Sequence, residues 1–313
     1  MKILITSISN KTPLIEAVRK TLSENGIYPI IVGADSNPLA LAKDFVDEFW
    51  HMPILKDLSV ENFILYCKEK GINIIFPTRD GELEYFAKNK KIFYHNDIHV
   101  MVSSIDAIAI SLDKLKFYEY LIERKFPVIP TYLNIEYIDS SLYVVKERMG
   151  SGSQKIYVKV SKEEAIYYAK KMNFPIFQPY IDGIEYSIDL YMSKVNKPKS
   201  VIVRERVHVV DGESQITKTV RIPDLEDIIK KIAITMKLQG HVMFQAIVDR
   251  QGHTHILECN ARIGGASTLS IYAGMDSFHW WIKEANGSNL DEYIFRQIEK
   301  ELTLIRYKKD LIV

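Results

Sequence analysis

Residues 255–265 read HILECNARIGG, and the spacing within this stretch decides how the rest of the chain is read. A short apolar run carries Glu258 and Asn260 two positions apart. Arg262 follows after two more, and then Gly264 and Gly265. Side chains alternate faces along a strand, so residues two apart share a face at a spacing of about 6.6 Å. The stretch predicts a strand with a carboxylate and an amide side by side. The preceding HVMFQAIVD, residues 241–249, predicts the other arm of a hairpin turned at residues 249–252, with Gln245 able to join Glu258 and Asn260. These oxygen donors suit Mg²⁺, which leaves part of its shell to water and phosphates. Arg262 then sits where charge develops on a transferring phosphoryl group. His253 and His255 share a face, but they lie beside the turn with no further Cys or His nearby to complete a zinc site. Cys259 points away from Glu258 and reads as core.

The first 105 residues alternate strand and helix. KILITSI is rich in β-branched residues. PLIEAVRKTLSENG spaces Leu14, Ile15, Val18 and Leu22 for a helix stopped by Gly26, and IYPIIVGAD returns to strand. SVENFILYCKEKG reads as a second helix and INIIFPT as a fully apolar strand. Such alternation implies a parallel sheet covered by helices on both faces. Ligands in such sheets sit at strand ends, here the loops SISNKTP and PTRDGEL. Neither loop carries GxGxxG, so the unit is Rossmann-like without a dinucleotide, which argues against an NAD(P)-dependent oxidoreductase. Asp80 stands either to face a substrate or to begin the helix GELEYFAKN.

Residues 106–126 read as a helical segment. SLYVVKERMGSGSQKIYVKV, residues 141–160, reads as strand, glycine loop, strand, and SKEEAIYYAKKM opens a helix on a capping box of Ser161 and Glu164. Lys146, near a strand end before Gly150, Ser151, Gly152 and Ser153, is placed to meet a phosphate that the loop amides wrap. A solvated hairpin is the plain alternative. Within FQPYIDGIEYSID, the edge segment Gln178, Pro179, Tyr180 and Ile181 can offer backbone groups to a base. Glu185 can accept two ribose hydroxyls or pair with a nearby cation. In VIVRERVHVVDG, Arg204 and Arg206 are candidates for binding an acid or phosphate; an exposed strand of alternating charge is the favoured alternative for Arg204, and Arg206 is singled out by its place before the Gly212 loop. After DLEDIIKKIAITMKLQG, a helix closed by Gly240, and the hairpin, the chain reads as helical with a late short strand at TLIRYKK. SFHWWIKEANG offers an apolar surface that serves either as core or as a homodimer interface.

The bulk properties agree with a multidomain soluble protein. The chain has 313 residues, 47% hydrophobic and 26% charged, with a net charge of +1 that argues against nucleic-acid binding by bulk electrostatics. Two cysteines exclude a disulfide framework and fit a reducing, cytoplasmic setting. No apolar run reaches the length needed to cross a bilayer.

Taken in order, Asp113–Lys114, VVKERMGSGS, FQPYIDGIEYSID, FQAIVD and LECNARIGG resemble the ATP-grasp superfamily, and within it the enzymes similar to the large subunit of carbamoyl-phosphate synthetase. The resemblance spans nearly the whole chain, and the E-x-N-x-R strand is its most specific part. It implies an α/β and α+β fold: a Rossmann-like domain over 1–105, then a two-lobed ATP-grasp domain with a small lobe over 106–180 and a large lobe over 181–313. It implies that Lys114 and Lys146 hold nucleotide phosphates under the Gly150–Ser153 loop, that residues 178–181 contact adenine and that Glu185 binds ribose. Gln245, Glu258 and Asn260 would hold two Mg²⁺, with Mn²⁺ an acceptable substitute, and Arg262 would stabilise the transferring phosphate. The implied activity is an ATP-dependent carboxylate–amine ligase acting on small molecules through an acyl-phosphate. The alternative is an ATP-binding subunit of a synthetase-like or regulatory complex with no ligase activity of its own. Under the ligase reading Asp80, Arg206, Gly264 and Gly265 are the substrate-side candidates. Ala261 stands where the family often has proline, and the chain holds one such module where a full carbamoyl-phosphate synthetase needs two.

Overall fold

A computed structural model describes residues 1–150 and 155–312. The N-terminal part runs β1 (Lys2–Thr6), α1 (Thr12–Glu24), β2 (Ile30–Asp35), β3 (Glu48–His51), α2 (Val60–Lys70), β4 (Ile72–Phe76), α3 (Asp80–His95) and β5 (His99–Val100). These strands form one parallel sheet in the order β3-β2-β1-β4-β5. β1 and β4 are apolar because helices cover both faces of the sheet. Ser59 caps α2 by accepting from the Asn62 amide at 3.2 Å, and Gly71, at φ +70°, ends the helix in the left-handed conformation that costs glycine little. The edge strands β3 and β5 escape sequence reading because four and two residues are too few to show a period. The strand order reverses between β1 and β4, which opens a crevice at their carboxyl ends.

The segment read as one helix is two, α4 (Ile105–Ser111) and α5 (Lys114–Ile122). Asp113 divides them: its Oδ1 accepts from the Leu115 and Lys116 amides at 3.1 and 3.2 Å, so α5 starts afresh. Next come β6 (Tyr143–Glu147), β7 (Ile156–Val160), α6 (Lys162–Ala169) and β8 (Pro175–Pro179). The three strands are antiparallel in the order β7-β6-β8, and α6 opens on the expected Ser161–Glu164 capping box. Val145, Phe177 and Ala165 give this sheet a small core of its own.

The remainder is β9 (Gly183–Met192), β10 (Pro198–Val210), β11 (Glu213–Val220), α7 (Pro223–Thr235), β12 (Gly240–Asp249), β13 (Thr254–Asn260), α8 (Thr268–Tyr272), α9 (Ser277–Ala285) and β14 (Thr303–Ile305). Six of its strands form an antiparallel sheet ordered β13-β12-β9-β10-β11-β14. Leu225, Ile229 and Ile232 of α7 share a core with Leu190, Val203 and Phe244 of this sheet. Trp280, Trp281 and Phe278 of α9 share another with Tyr191 and Ile202, and Phe278 meets Phe76 of β4 edge-on at 4.9 Å. The two tryptophans are therefore core, 4% and 1% exposed, and weld the parallel sheet to the antiparallel one. The chain after α9 is less helical than the sequence suggests. Gly287, at φ +81°, follows the end of α9, and β14 pairs with β11. The fold is mixed α/β and α+β, and no described helix is long and apolar enough to cross a membrane.

Candidate active site

The hairpin forms as its spacing requires. In the β12–β13 register Gln245 lies opposite Glu258, and Met243 opposite Asn260. A bulge leaves Leu257 without a register partner between Ile256 and Glu258, and Leu257 and Glu258 both line the central cavity. Asn260 Nδ2 donates to Glu258 Oε1 at 3.1 Å. Arg262 Nη2 donates to Asn260 Oδ1 at 3.4 Å and to Asp80 Oδ2 at 2.5 Å, while its buried Nε has no partner among the described residues. At the turn, Asp249 accepts from the Gln251 and His253 amides and lies 3.0 Å from His255 Nε2. The two histidines are thus occupied with the turn. No cluster of three His, Cys, Asp or Glu suited to a metal occurs among the described residues.

A cavity of about 1030 Å³ lies between the small sheet, the large sheet and the loops after β1 and β4. That is large for a single small-molecule site. Lys146 on β6 lines it at 9% exposure. Burial brings the Lys146 ammonium down to about 8, although Glu258 and Glu185 favour its charge. Burial likewise penalises the Glu258 carboxylate, but Lys114, Lys146, Asn260 and Arg262 outweigh it and hold the group below its usual range. The electrostatics thus keep a carboxylate ionised beside two lysines, and the nearby amides of Gln245 and Asn260 complete a hard, all-oxygen donor set that fits Mg²⁺. Asn260 must turn its Oδ1 toward such an ion, since its Nδ2 now faces Glu258.

Lys114 Nζ donates to the Gly150 carbonyl at 2.9 Å, which ties α5 to the start of the glycine loop. Gly150 takes φ +116°, and Ser151, Gly152 and Ser153 lie outside the described residues. Gln178, Pro179, Tyr180 and Ile181 line the cavity along the edge strand β8 and the chain leaving it. The Gln178 side chain donates to Thr131 Oγ1 at 2.8 Å and the Tyr180 amide to the Leu142 carbonyl. Glu185 also lines the cavity, 3.0 Å from Arg206 Nε, so the ion-pair alternative is realised at the cavity wall.

The other end of the cavity is built from separate loops. Glu82, fully buried, accepts from Thr6 Oγ1, Ser7 Oγ and the Thr78 and Arg79 amides at 2.6–3.0 Å. This clamp joins the loops after β1 and β4 and sets Lys11 and Arg79 at the cavity wall. Asp80, at the first turn of α3, spends its carboxylate on Arg262. Arg206 donates to the Gly212 carbonyl at 2.9 Å. Arg204 is not on an exposed strand face. It is 1% exposed, with Nε 2.7 Å from Asp189 Oδ2. Asp189 also meets His241, Ser267 and Ser270, and burial that would raise its pKa is overcome by Arg204 and His241, leaving it well below the carboxylate range. The alternation of β10 places Arg204 inward, because the central strands of this sheet are covered on both faces. Gly264 is held tightly, since a Cβ there would meet Met243 Sδ at 2.5 Å, whereas one on Gly265 would meet only the end of the Arg306 side chain. Lys11, Arg79 and Arg306 were not singled out from sequence. The first two lie in the loops flanking the strand-order reversal, which is the signal that could have found them. Arg306 carries none.

The arrangement is a crevice walled by two antiparallel sheets, and the part of the chain that carries the larger sheet matches an ATP-grasp family. Residues 171–307 match the family described as ATP-grasp in the biosynthetic pathway with Ter operon, and residues 3–101 match the PylC-like N-terminal domain. Among solved structures it is similar to biotin carboxylase from Campylobacter jejuni, at 18% identity over 96% of this chain and 74% of that one, TM-score 0.76. The biotin carboxylase domain of Hydrogenobacter thermophilus 2-oxoglutarate carboxylase, solved with MgADP and bicarbonate, aligns at 19% identity over 96% and 73%, TM-score 0.75. N5-carboxyaminoimidazole synthetase from Staphylococcus aureus, complexed with ADP, aligns at 15% over 92% and 78%, TM-score 0.72. At these identities the likeness is one of fold. No curated protein matches the chain by sequence.

Proposed function

We propose that the protein is an ATP- and Mg²⁺-dependent ligase that activates a substrate carboxylate for attack by an amine. The observation that carries this reading is the facing of Gln245, Glu258 and Asn260 with Lys146 and Lys114 across one cavity, Arg262 standing where the cavity turns toward the N-terminal loops. Two of the structural neighbours are complexes with ADP, one of them with magnesium, which supports the nucleotide assignment. In this reading residues 106–180 cover the nucleotide, 181–313 carry the metal strand and 1–105 supply substrate loops.

The chemistry then follows from charge. A carboxylate oxygen of the substrate attacks the γ-phosphorus of ATP, the bridging P–O bond breaks and ADP leaves. Lys146 and Lys114 neutralise the phosphates, and Arg262, fixed by Asp80, meets the phosphoryl group in flight. Gln245, Glu258 and Asn260 would hold Mg²⁺, which would add further neutralisation of phosphate oxygens when bound. The amine attacks the acyl carbon, the C–N bond forms, phosphate leaves and the nitrogen loses a proton. No side-chain nucleophile is needed: both cysteines are buried, and burial pushes each thiol up to about 12.

The test is ADP release by purified protein with ATP, Mg²⁺ and a panel of acids and amines. Acid-dependent ADP release that vanishes in Glu258→Ala is the expected result. Equal rates in both proteins overturn the reading, and tight MgATP binding without turnover across the panel identifies a nucleotide-binding subunit instead.

A further inference from the structure

The charges around the cavity do not balance. Nine Lys and Arg side chains line it among the described residues, against four carboxylates. At the nucleotide end Lys114, Lys146, Lys155 and Arg206 face Glu147, Glu185 and Glu258, a surplus of only one. Fully ionised ATP with two divalent cations carries no net charge, so the nucleotide does not absorb the excess.

Most of the excess lies at the N-terminal end. Lys11 and Arg79 line the cavity there, and neither forms an ion pair among the described residues, whereas Arg262 and Arg306 have Asp80 and Glu213. Lys11 immediately precedes α1 and Arg79 immediately precedes α3. Both therefore sit at helix N-termini, whose free amides and dipoles add positive potential. Both occupy the crevice at the strand-order reversal, and the Glu82 clamp fixes their two loops relative to each other. Arg204 also lines the cavity, 1% exposed, and among the described residues its Nη1 and the buried Arg262 Nε have no partner. Each guanidinium has its carboxylate partner, but a buried N–H left without an acceptor costs stability, and a bound anion removes that cost.

We propose that this end of the crevice is an anion subsite: Lys11 and Arg79 hold a second anionic group, carboxylate or phosphate, of the substrate whose reacting carboxylate lies at Arg262. The inference rests on the ligase reading for the direction of the substrate, but the subsite itself is read by binding alone. The substrate class it names is a small acid with a second negative charge rather than a monoacid with an apolar tail.

The experiment is calorimetric titration of the protein, loaded with Mg²⁺ and a non-hydrolysable ATP analogue, with butyrate, glutarate and 3-phosphonopropionate. A dianion is expected to bind about tenfold or more tighter than butyrate, with the preference falling as salt rises. Whether glutarate or 3-phosphonopropionate leads tells a carboxylate anchor from a phosphate one. The Lys11→Met/Arg79→Met protein is expected to lose the preference and Lys11→Arg/Arg79→Lys to retain it, with the melting temperature reporting folding. Equal affinity for all three probes, no binding of either dianion at millimolar concentration, or a preference that survives in the Met variant each overturns the proposal. Should the nucleotide analogue fail to bind, the ligase reading falls, and the same titrations on the nucleotide-free protein still decide the subsite.

Discussion

The two ends of the crevice are built by different rules. The end proposed for the nucleotide rests largely on strands: Glu258 and Asn260 on β13, Gln245 on β12, Lys146 on β6 and Glu185 on β9. Its four cations face three carboxylates. The end proposed for the acceptor is assembled from the loops after β1 and β4, the β10–β11 turn and the chain leaving β14, and it carries most of the surplus of positive charge. A strand fixes its side chains by local geometry, so function written on strands is readable at a spacing of two. A site assembled from loops far apart in sequence exists only once the sheets have packed.

The comparison can be broken at several points. The largest effect is expected at Glu258. Glu258→Gln keeps the shape but removes the charge at the metal position, and turnover in the ADP-release assay should drop about a thousandfold or more. A loss under tenfold would mean that the strand-built end is not the reacting end. Of similar size in free energy is the support beneath Arg204. Asp189→Ala leaves Arg204 buried without its counterion and should cost roughly 3–5 kcal/mol of stability, measured by urea unfolding. A neutral outcome would show that the interior can do without the pair.

Lys146 offers a sharper probe of the nucleotide end. Burial lowers its pKa to about 8, below the 10.5 of a free lysine. Phosphate beside it favours the charged form, so binding of MgATP above pH 8 must take up a proton, and affinity should fall as pH rises beyond 8. Below that pH the lysine is already charged and no uptake is expected. Calorimetry in buffers of different ionisation enthalpy measures the uptake, and Lys146→Met should abolish it. Unchanged uptake in that variant would assign the proton to another group.

Two smaller effects separate packing from function. Gly264→Ala pushes a methyl against Met243 and Ser267 and should cost about 1–3 kcal/mol, while Gly265→Ala displaces only the end of Arg306 and should cost less. Thermal melts of the pair measure this, and equal costs would refute the distinction. His253→Ala, at an exposed turn, should change stability by under about 0.5 kcal/mol and leave MgATP affinity alone, in keeping with a histidine that serves the turn and binds no metal.

Legibility in the sequence follows the same division. The hairpin was legible because strand period and turn residues agree over residues 240–260, and the parallel sheet because its core strands are apolar throughout. Asp113–Lys114 reads as a helix opening and Asp113 does cap α5 and pair with Arg148; the break from α4 was hidden because the apolar spacing runs on through residues 106–126 without a glycine or proline. Arg204 was misread as exposed because alternation tells which residues share a face and not which face is covered. Asp80 was recognised as either capping or functional. Its partner, Arg262, lies 182 positions away, and no local pattern records that contact.

The central claim is that the facing charges on β6, β12 and β13 form a site for ATP with a divalent cation. Calorimetric titration of the wild-type protein with ATP, with and without Mg²⁺, tests it most directly when repeated on Glu258→Gln. The account predicts binding to the wild type that Mg²⁺ strengthens, and a Glu258→Gln protein in which that strengthening is lost. Binding indifferent to Mg²⁺ in the wild type, or a magnesium effect that persists unchanged in Glu258→Gln, would contradict it.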